Sequence, residues 1–584
     1  MMTSSSTGRG RTAAALGCVV IIALVLYGDT LTYSFASDDF PCWELARDRS
    51  GPFYTLFIGR DTLKNVLPTQ NWVSGVIVKK SDIFRPVLVW YYKVGQLFFG
   101  KWEPGYRLMK LLLLVSCSLL LYPVALEFLK PSSGCGRRED DALRLWAAAA
   151  SAMFAVNFNN QWVMVREVNT FETYAMMAGV LICVAMHNKW VVEGLSRSLV
   201  LGCAGLVFGL CSRENALAIV LAAPLIDWAL GRQNRRAMIA YGFYAGICAA
   251  YIAARYTYYG GEIGAYGDIR SGGDVLATVK QIYSEHRIVR DSMLIARFSF
   301  GPMHVGYVVV CATLTGGALF LLTRRTGVAI LEGRRILTLA VLAGLFYGPG
   351  VLIGMSNHYL LLPSACIITA VALLASRASL AAAVDRRLWI AACAPLLGLY
   401  IAGSGIARWG DAIPRDVAQR AEQIRREVRA AVVGGVRPDA KHPLVVFLAL
   451  PNDVHDRFDL FYNSAAAAAP FWTDGRATGV CGAICDWFPI LNKPNTIAVK
   501  RSGRYSYEMQ TISYTLGFDQ IHGLEAQRIF ASNAWYARVQ KGDLRPDKTH
   551  LFKMILTMKG EFINGFDQVL VIYHDGIKVH ILDS

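Results

Sequence analysis

A chain of 584 residues that is 54% hydrophobic and only 17% charged is too apolar for an ordinary soluble enzyme and reads as an α-helical polytopic membrane protein. Its formal charge of +16 does not make it a nucleic-acid binder, because Lys and Arg punctuate the apolar runs instead of gathering in one basic domain. That distribution is a topology signal.

Apolar runs that reach, or nearly reach, the length needed to cross about 30 Å of hydrocarbon lie near 13–31, 106–128, 143–158, 173–188, 197–211, 215–231, 237–254, 304–322, 336–354, 359–376 and 388–405. They predict eleven transmembrane helices. The first is expected to be retained, since it lacks a small-residue cleavage site and more spans follow. Basic groups sit in the short loops: Arg9 and Arg11, Arg137 and Arg138, Lys189 and Arg197, Arg232, Arg235 and Arg236, Arg324, Arg325, Arg334 and Arg335, then Arg377, Arg386 and Arg387. All fall on one side of an eleven-span chain, and the positive-inside rule makes that side the cytoplasm. The outer side then receives residues 32–105, 157–172, 255–303 and everything after 406.

Beyond the last span the grammar changes. A basic amphipathic connector, RDVAQRAEQIRREVRAAV, leads into PLVVFLAL, NTIAVKRSG, RYSYEMQTISYTL and QVLVIYHDGIKVHIL, short alternating or β-branched runs of the kind that form strands. The chain is therefore expected to divide into a transmembrane module, 1–405, and an extracytoplasmic α/β domain, 406–584. No Asn-x-Ser/Thr sequon occurs, which favours a bacterial inner membrane with the tail in the periplasm. The thirteen cysteines are mostly scattered singly in apolar spans as small hydrophobes. Only Cys481 and Cys485 invite a disulfide, and a metal site there would need ligands that the neighbouring sequence does not supply.

Walker, dinucleotide, HExxH and GxSxG motifs are missing, so the chemistry must come from polar residues at the outer ends of spans. In YSFASDDFPCWELARDRSG, Asp38 and Asp39 follow the first span. Adjacent carboxylates near an apolar interface repel each other and are desolvated, so one can accept a proton; they would equally serve as loop acids that end a helix. Arg85 precedes Pro86 and an aromatic stretch expected to lie along the outer interface, where it can grip a phosphate or snorkel to headgroups. Ser212, Arg213, Glu214 and Asn215 crowd one tight outer turn, open to a functional role or to a structural Arg213–Glu214 pair. Asn157, Asn159, Asn160, Trp162, Arg166, Glu167 and Glu172 offer amides and rings that suit sugars and also any wet interface. Asn357, His358 and Tyr359 open a later span.

In chain order, the acidic pair, Arg-Pro before LFFG, SRE before LAIVLAAPLID, and NHYLLLPS resemble the multispanning glycosyltransferases of the GT-C class that use polyprenyl-phosphate sugars. The nearest echo is of protein O-mannosyltransferases and aminoarabinose transferases. The resemblance covers roughly residues 14–376; Arg213 stands where Lys is usual and His358 where Arg is frequent, and nothing about the tail carries over. It implies a lipid-linked donor whose phosphate sits at the outer interface, and a glycan, lipid or protein acceptor hydroxyl entering from water. One of Asp38 and Asp39 would deprotonate the acceptor. Arg85 and Arg213, closed by His358 and Tyr359, would hold the lipid phosphate, and Glu214, Asn160, Trp162 and Glu167 would line the substrate site. One base and one displacement imply inversion. No cofactor is implied; the two aspartates offer hard oxygens to a divalent cation, but the expectation is for none. Rival readings are a lipid-linked glycan transporter, which would show inverted repeats and charges near the bilayer midplane, and a polysaccharide polymerase or ligase built on Arg287 and Arg290 of the 255–303 loop.

Overall fold

The computed structural model describes residues 6–36, 39–48, 86–130, 137–165, 168–258, 330–353, 361–381, 415–451, 465–487, 497–512, 527–531, 535–544, 550–575 and 577–582. Its helices are α1 (Ser6–Tyr27), α2 (Asp39–Asp48), α3 (Pro86–Phe99), α4 (Glu103–Leu129), α5 (Arg137–Ala155), α6 (Phe158–Val165), α7 (Phe171–Glu193), α8 (Ser196–Ser212), α9 (Ile219–Leu230), α10 (Arg235–Tyr258), α11 (Ile330–Ile353), α12 (Leu361–Ala381) and α13 (Arg415–Gly435). The remainder is β1 (Pro443–Pro451), α14 (Ala465–Trp472), β2 (Thr478–Trp487), β3 (Ile497–Gly503), β4 (Ser506–Ile512), β5 (Gln527–Ala531), β6 (Trp535–Leu544), β7 (His550–Met558), α15 (Gly560–Ile563), β8 (Gln568–His574) and β9 (Val579–Leu582).

Among the described residues, four helical stretches are long and apolar enough to cross a membrane: Gly10–Thr32, α4, α7 and Arg235–Thr257. Helix α8 and the segment Leu361–Arg377 are apolar but shorter. The spans expected at 304–322 and 388–405 lie outside the described residues. The run expected at 215–231 is interrupted, with a 3-10 turn at Glu214–Ala218 before the twelve-residue α9.

Local chemistry explains the hairpins. Helix α7 stops at Gly194 (φ 75°) and α9 at Gly231 (φ 66°), left-handed caps that Gly adopts without a Cβ penalty. Helices α7 and α8 touch backbone to backbone: a Cβ placed on Gly179 would lie 2.5 Å from the Gly205 carbonyl oxygen and 2.6 Å from the Gly209 nitrogen. Small residues allow such close approach where no water-driven force presses helices together.

The described bundle has two ends of different chemistry. At one, arginines cap the last carbonyls of α4, which have no partner inside the helix. Arg335 donates to the Phe128 and Lys130 oxygens (3.0 and 2.5 Å), Arg377 to the Leu129 oxygen (2.9 Å), and Arg232 to Glu127 (2.7 Å). The starts of α5 and α10, with Arg137, Arg138, Arg235 and Arg236, belong to this same end. The other end gathers the starts of α4, α7 and α12 and the ends of α1, α5, α8 and α10.

The strands form a mixed four-stranded sheet, order β2-β1-β8-β9, and an antiparallel five-stranded sheet, order β3-β4-β7-β6-β5. β1 runs parallel to both β2 and β8 and is buried on both faces. Successive side chains point to opposite faces, so Leu444, Val446 and Leu448 join Met509 and Leu556 of the antiparallel sheet. Val445 and Phe447 instead join Ile424 and Val428 of α13 and Phe471 of α14. The same helical layer continues into Phe35, Phe40, Trp43 and Tyr92, so the β layers, α13 and the first loop share one core. Cys481 and Cys485 lie along β2, whose register against β1 slips twice between Phe447 and Leu450; their side chains are outside the described residues.

Candidate active site at the acidic first loop

Between α1 and α2 the chain passes through Ser34, Phe35 and Ala36 with no regular structure, yet each backbone polar group of the three is bonded. The Ser34 N–H and hydroxyl donate to Glu422 (3.3 and 2.7 Å). The Phe35 N–H donates to Glu103 (2.5 Å) and the Ala36 N–H to Asp39 (3.0 Å). The Ser34 oxygen accepts from Arg107 and Arg425 (both 2.9 Å), the Phe35 oxygen from Arg425 (3.2 Å), and the Ala36 oxygen from the Asp39 N–H (2.9 Å).

Asp39 opens α2 and is 0% exposed. One carboxylate oxygen accepts from the Ala36 and Val168 N–H groups, each at 3.0 Å, and the other from the Tyr92 hydroxyl at 2.7 Å. Carboxylates at a helix start are favoured by the free N–H groups and the helix dipole. Burial first, and then the adjacent Asp39 charge, hold the Tyr92 hydroxyl well above its ordinary range, so it stays a donor. The sequence expectation placed both aspartates where a water-borne acceptor could reach them; Asp39 instead faces inward and ties the first loop to α3 and to the segment before α7. Asp38 lies outside the described residues.

Aromatic rings close around this loop. Phe35 lies tilted against Phe471 at 5.4 Å and meets Tyr106 edge-on at 5.0 Å, and Phe40 meets Phe471 and Trp472 edge-on, both at 5.5 Å. Trp43 stands edge-on to Phe471 at 4.9 Å and donates to the Tyr106 hydroxyl at 3.0 Å. Lys101 donates to the Phe471 oxygen and pairs with Asp474 at 2.6 Å. Such T-shaped pairs set ring edges on ring faces.

The first two turns of α4 supply charge from inside an apolar helix. Glu103, Arg107 and Lys110 share one face at i, i+4 and i+7. Besides the loop contacts, Arg107 donates to the Met164 oxygen (3.3 Å) and Lys110 to the Thr170 hydroxyl (2.7 Å). Sequence reading passed over Arg107 and Lys110 because they stand within a run otherwise read as hydrophobic; charges inside a span are themselves the signal that should have singled them out.

The remaining expected site residues divide. Arg213 is buried and its guanidinium grips Glu172, with Nε at 2.8 Å and a second contact through a terminal nitrogen. The Arg213–Glu214 pair considered from sequence does not form, since Glu214 faces Arg255 at 3.4 Å. Asn160 is buried and caps the end of α5, donating to the Phe154 oxygen (2.5 Å) while its own side-chain oxygen accepts from Tyr174 (3.2 Å). Asn159 reaches Ser364 at 2.9 Å, joining α6 to the start of α12. Trp162 belongs to α6, with its side chain outside the described residues. Arg85, Glu167, His358 and Tyr359, with Arg287 and Arg290, also lie outside them. Among the described residues no group of three or more His, Cys, Asp or Glu is arranged to hold a metal ion.

No family model matches this sequence, and no curated protein does. Among solved structures, the chain is similar to the crystal structure of ArnT from Cupriavidus metallidurans bound to undecaprenyl phosphate, at 12% identity over 93% of this chain and 98% of that one, with a TM-score of 0.37. So loose an overlap leaves the functional argument to the residues of this chain.

Proposed function

We propose that this protein is a membrane glycosyltransferase that moves a sugar from a polyprenyl-phosphate donor to an acceptor hydroxyl on the extracytoplasmic face, with inversion at the anomeric carbon. The observation that carries the reading is the acidic loop at the end of the bundle opposite the arginine-capped one. By the positive-inside rule the capped end is cytoplasmic. The loop, the buried Arg213–Glu172 pair and the β layers then share the outer side of an inner membrane, and residues 406–584 form the periplasmic domain.

In this mechanism Asp38 removes the acceptor proton while the acceptor oxygen attacks the anomeric carbon. The bond from that carbon to the phosphate oxygen breaks, and polyprenyl phosphate leaves. Asp39, both of whose oxygens already accept hydrogen bonds, fixes the helix start that follows. Arg85, with His358 and Tyr359, meets the phosphate charge that develops on the leaving group. Arg213, its guanidinium held by Glu172, adds to the positive charge of Arg85, and Glu214, Asn160, Trp162 and Glu167 shape the sugar side. The proposal uses no metal and no nucleotide.

Asp38→Asn, in membranes supplied with a panel of undecaprenyl-phosphate-linked hexoses and aminopentoses, is expected to abolish release of undecaprenyl phosphate while expression and melting stay at wild-type values. Removing a positioned general base is worth about 10²- to 10⁴-fold. Full activity in this variant rules out the proposed base.

A further inference from the structure

We infer that helix α13 is a clamp on the catalytic loop, and that Arg425 and Glu422 are positioning residues for the transfer reaction; the inference rests on the glycosyltransferase reading above. Ser34, Phe35 and Ala36 lack ladder or helix bonds, and a segment of that kind keeps one conformation only if other groups over-determine it. Here a large share of those groups comes from nearly 390 residues away in sequence. Arg425 spans the Ser34 and Phe35 oxygens with one nitrogen, and Glu422 takes both the backbone and the hydroxyl of Ser34. Arg425 is 2% exposed, so its cation is matched locally, by Glu422 at 3.7 Å as well as by the two carbonyls.

The charges form a connected set across α4 and α13. Arg107 shares the Ser34 oxygen with Arg425, Glu103 takes the Phe35 N–H, and Arg429 approaches Glu103 at 3.6 Å. Arg426 holds Glu422 from the solvent side at 3.0 Å. Two residues after Phe35, the chain passes through Ser37 and Asp38 to Asp39, which bonds back to Ala36 through both its N–H and its carboxylate. The backbone of Ser34–Ala36, and with it the position of Asp39, is therefore fixed jointly by the transmembrane module and by the helix that carries the β layers. Reacting groups tolerate little misplacement, about 1 Å being enough for a hundredfold loss. Sugar transfer should accordingly depend on α13 whatever the acceptor is.

The test uses full-length protein in lipid nanodiscs and the same undecaprenyl-phosphate-sugar panel. Arg425→Met is expected to lower kcat by about 100-fold with the donor KM within about threefold, and Arg425→Lys, which keeps a cation able to reach a carbonyl, to recover at least about tenfold of that loss. Amide hydrogen exchange at residues 34–36 should accelerate at least about tenfold in Arg425→Met and in Glu422→Ala. Wild-type kcat in Arg425→Met, or unchanged exchange at 34–36 in both variants, overturns the clamp. If Arg425→Met does not yield folded protein, Glu422→Ala carries both readouts. Accelerated exchange in these variants with no undecaprenyl phosphate released by the wild type from any sugar of the panel would instead keep the clamp and remove the glycosyltransferase reading.

Discussion

Replacing Asp39 separates a structural acid from a catalytic one. Asp39→Ala leaves the Ala36 N–H, the Val168 N–H and the Tyr92 hydroxyl without their acceptor in a site that is 0% exposed. An unsatisfied buried donor costs about 1–3 kcal/mol, so three of them amount to roughly 5 kcal/mol, a factor of more than 10³ in the equilibrium between the closed and open loop. Asp39→Asn keeps one accepting oxygen and loses charge assistance, so about 2 kcal/mol is expected. Thermal melting in detergent, read by fluorescence-detected size exclusion, should rank wild type above Asn and Asn above Ala. Asp38→Asn should melt like wild type yet be inactive. An Asp39→Ala protein that melts with the wild type would refute the reasoning, because three buried donors cannot lose an acceptor without effect.

The α7–α8 contact should be intolerant: Gly179→Ala puts a methyl against the Gly205 and Gly209 backbone and is expected to destabilise by about 1–3 kcal/mol. Gly242→Ala, where nothing lies within 4 Å, should be neutral or slightly stabilising in the same melting assay. In β8, burial, and after it the Arg420 charge, push His574 down to about 4. Its folded value lies below its unfolded one, so the unfolded chain binds the extra proton and stability falls as pH drops from about 6.5 to about 4, by up to roughly 3 kcal/mol. His574→Phe should flatten that slope in melts taken between pH 7.5 and 4.5, and an unchanged slope would count against a buried neutral imidazole. Gly95→Ala should unseat α3, since its methyl would meet the Tyr106 ring, and a wild-type melt would show that the ring has room to move.

How much of this was legible depends on the range over which each signal acts. The basic loops and apolar lengths are local properties, and the described helices put Arg137, Arg235, Arg335 and Arg377 at one end of the bundle as the spacing of the runs requires. The interruption at Glu214–Ala218 is half visible, because Ser212–Asn215 reads as a crowded turn while the apolar length of 215–231 alone still predicts a full span. The run PLVVFLAL gave away a strand. Its burial on both faces, however, comes from two further layers that no eight-residue window contains.

The candidate site was legible only where its residues are neighbours in sequence. Asp38 and Asp39 stand out as a pair, but a pair on paper does not tell that Asp39 turns inward; that is decided by Tyr92 and by the Val168 N–H, 53 and 129 residues away. The amphipathic pattern of RDVAQRAEQIRREVRAAV did mark one buried face, and Ala421, Ile424, Val428 and Val432 occupy it in α13. Arg425 lies beside that apolar face, and in the sequence it is one of five arginines in a basic amphipathic connector. What distinguishes it is that it meets the carbonyls of Ser34 and Phe35, which have no helix or strand partner because the chain there forms neither. A charge that completes an irregular segment cannot be recognised from its own neighbours. It follows that the residues most sensitive for this chemistry are to be sought wherever a buried charge on α4 or α13 bonds to backbone that lacks any regular partner.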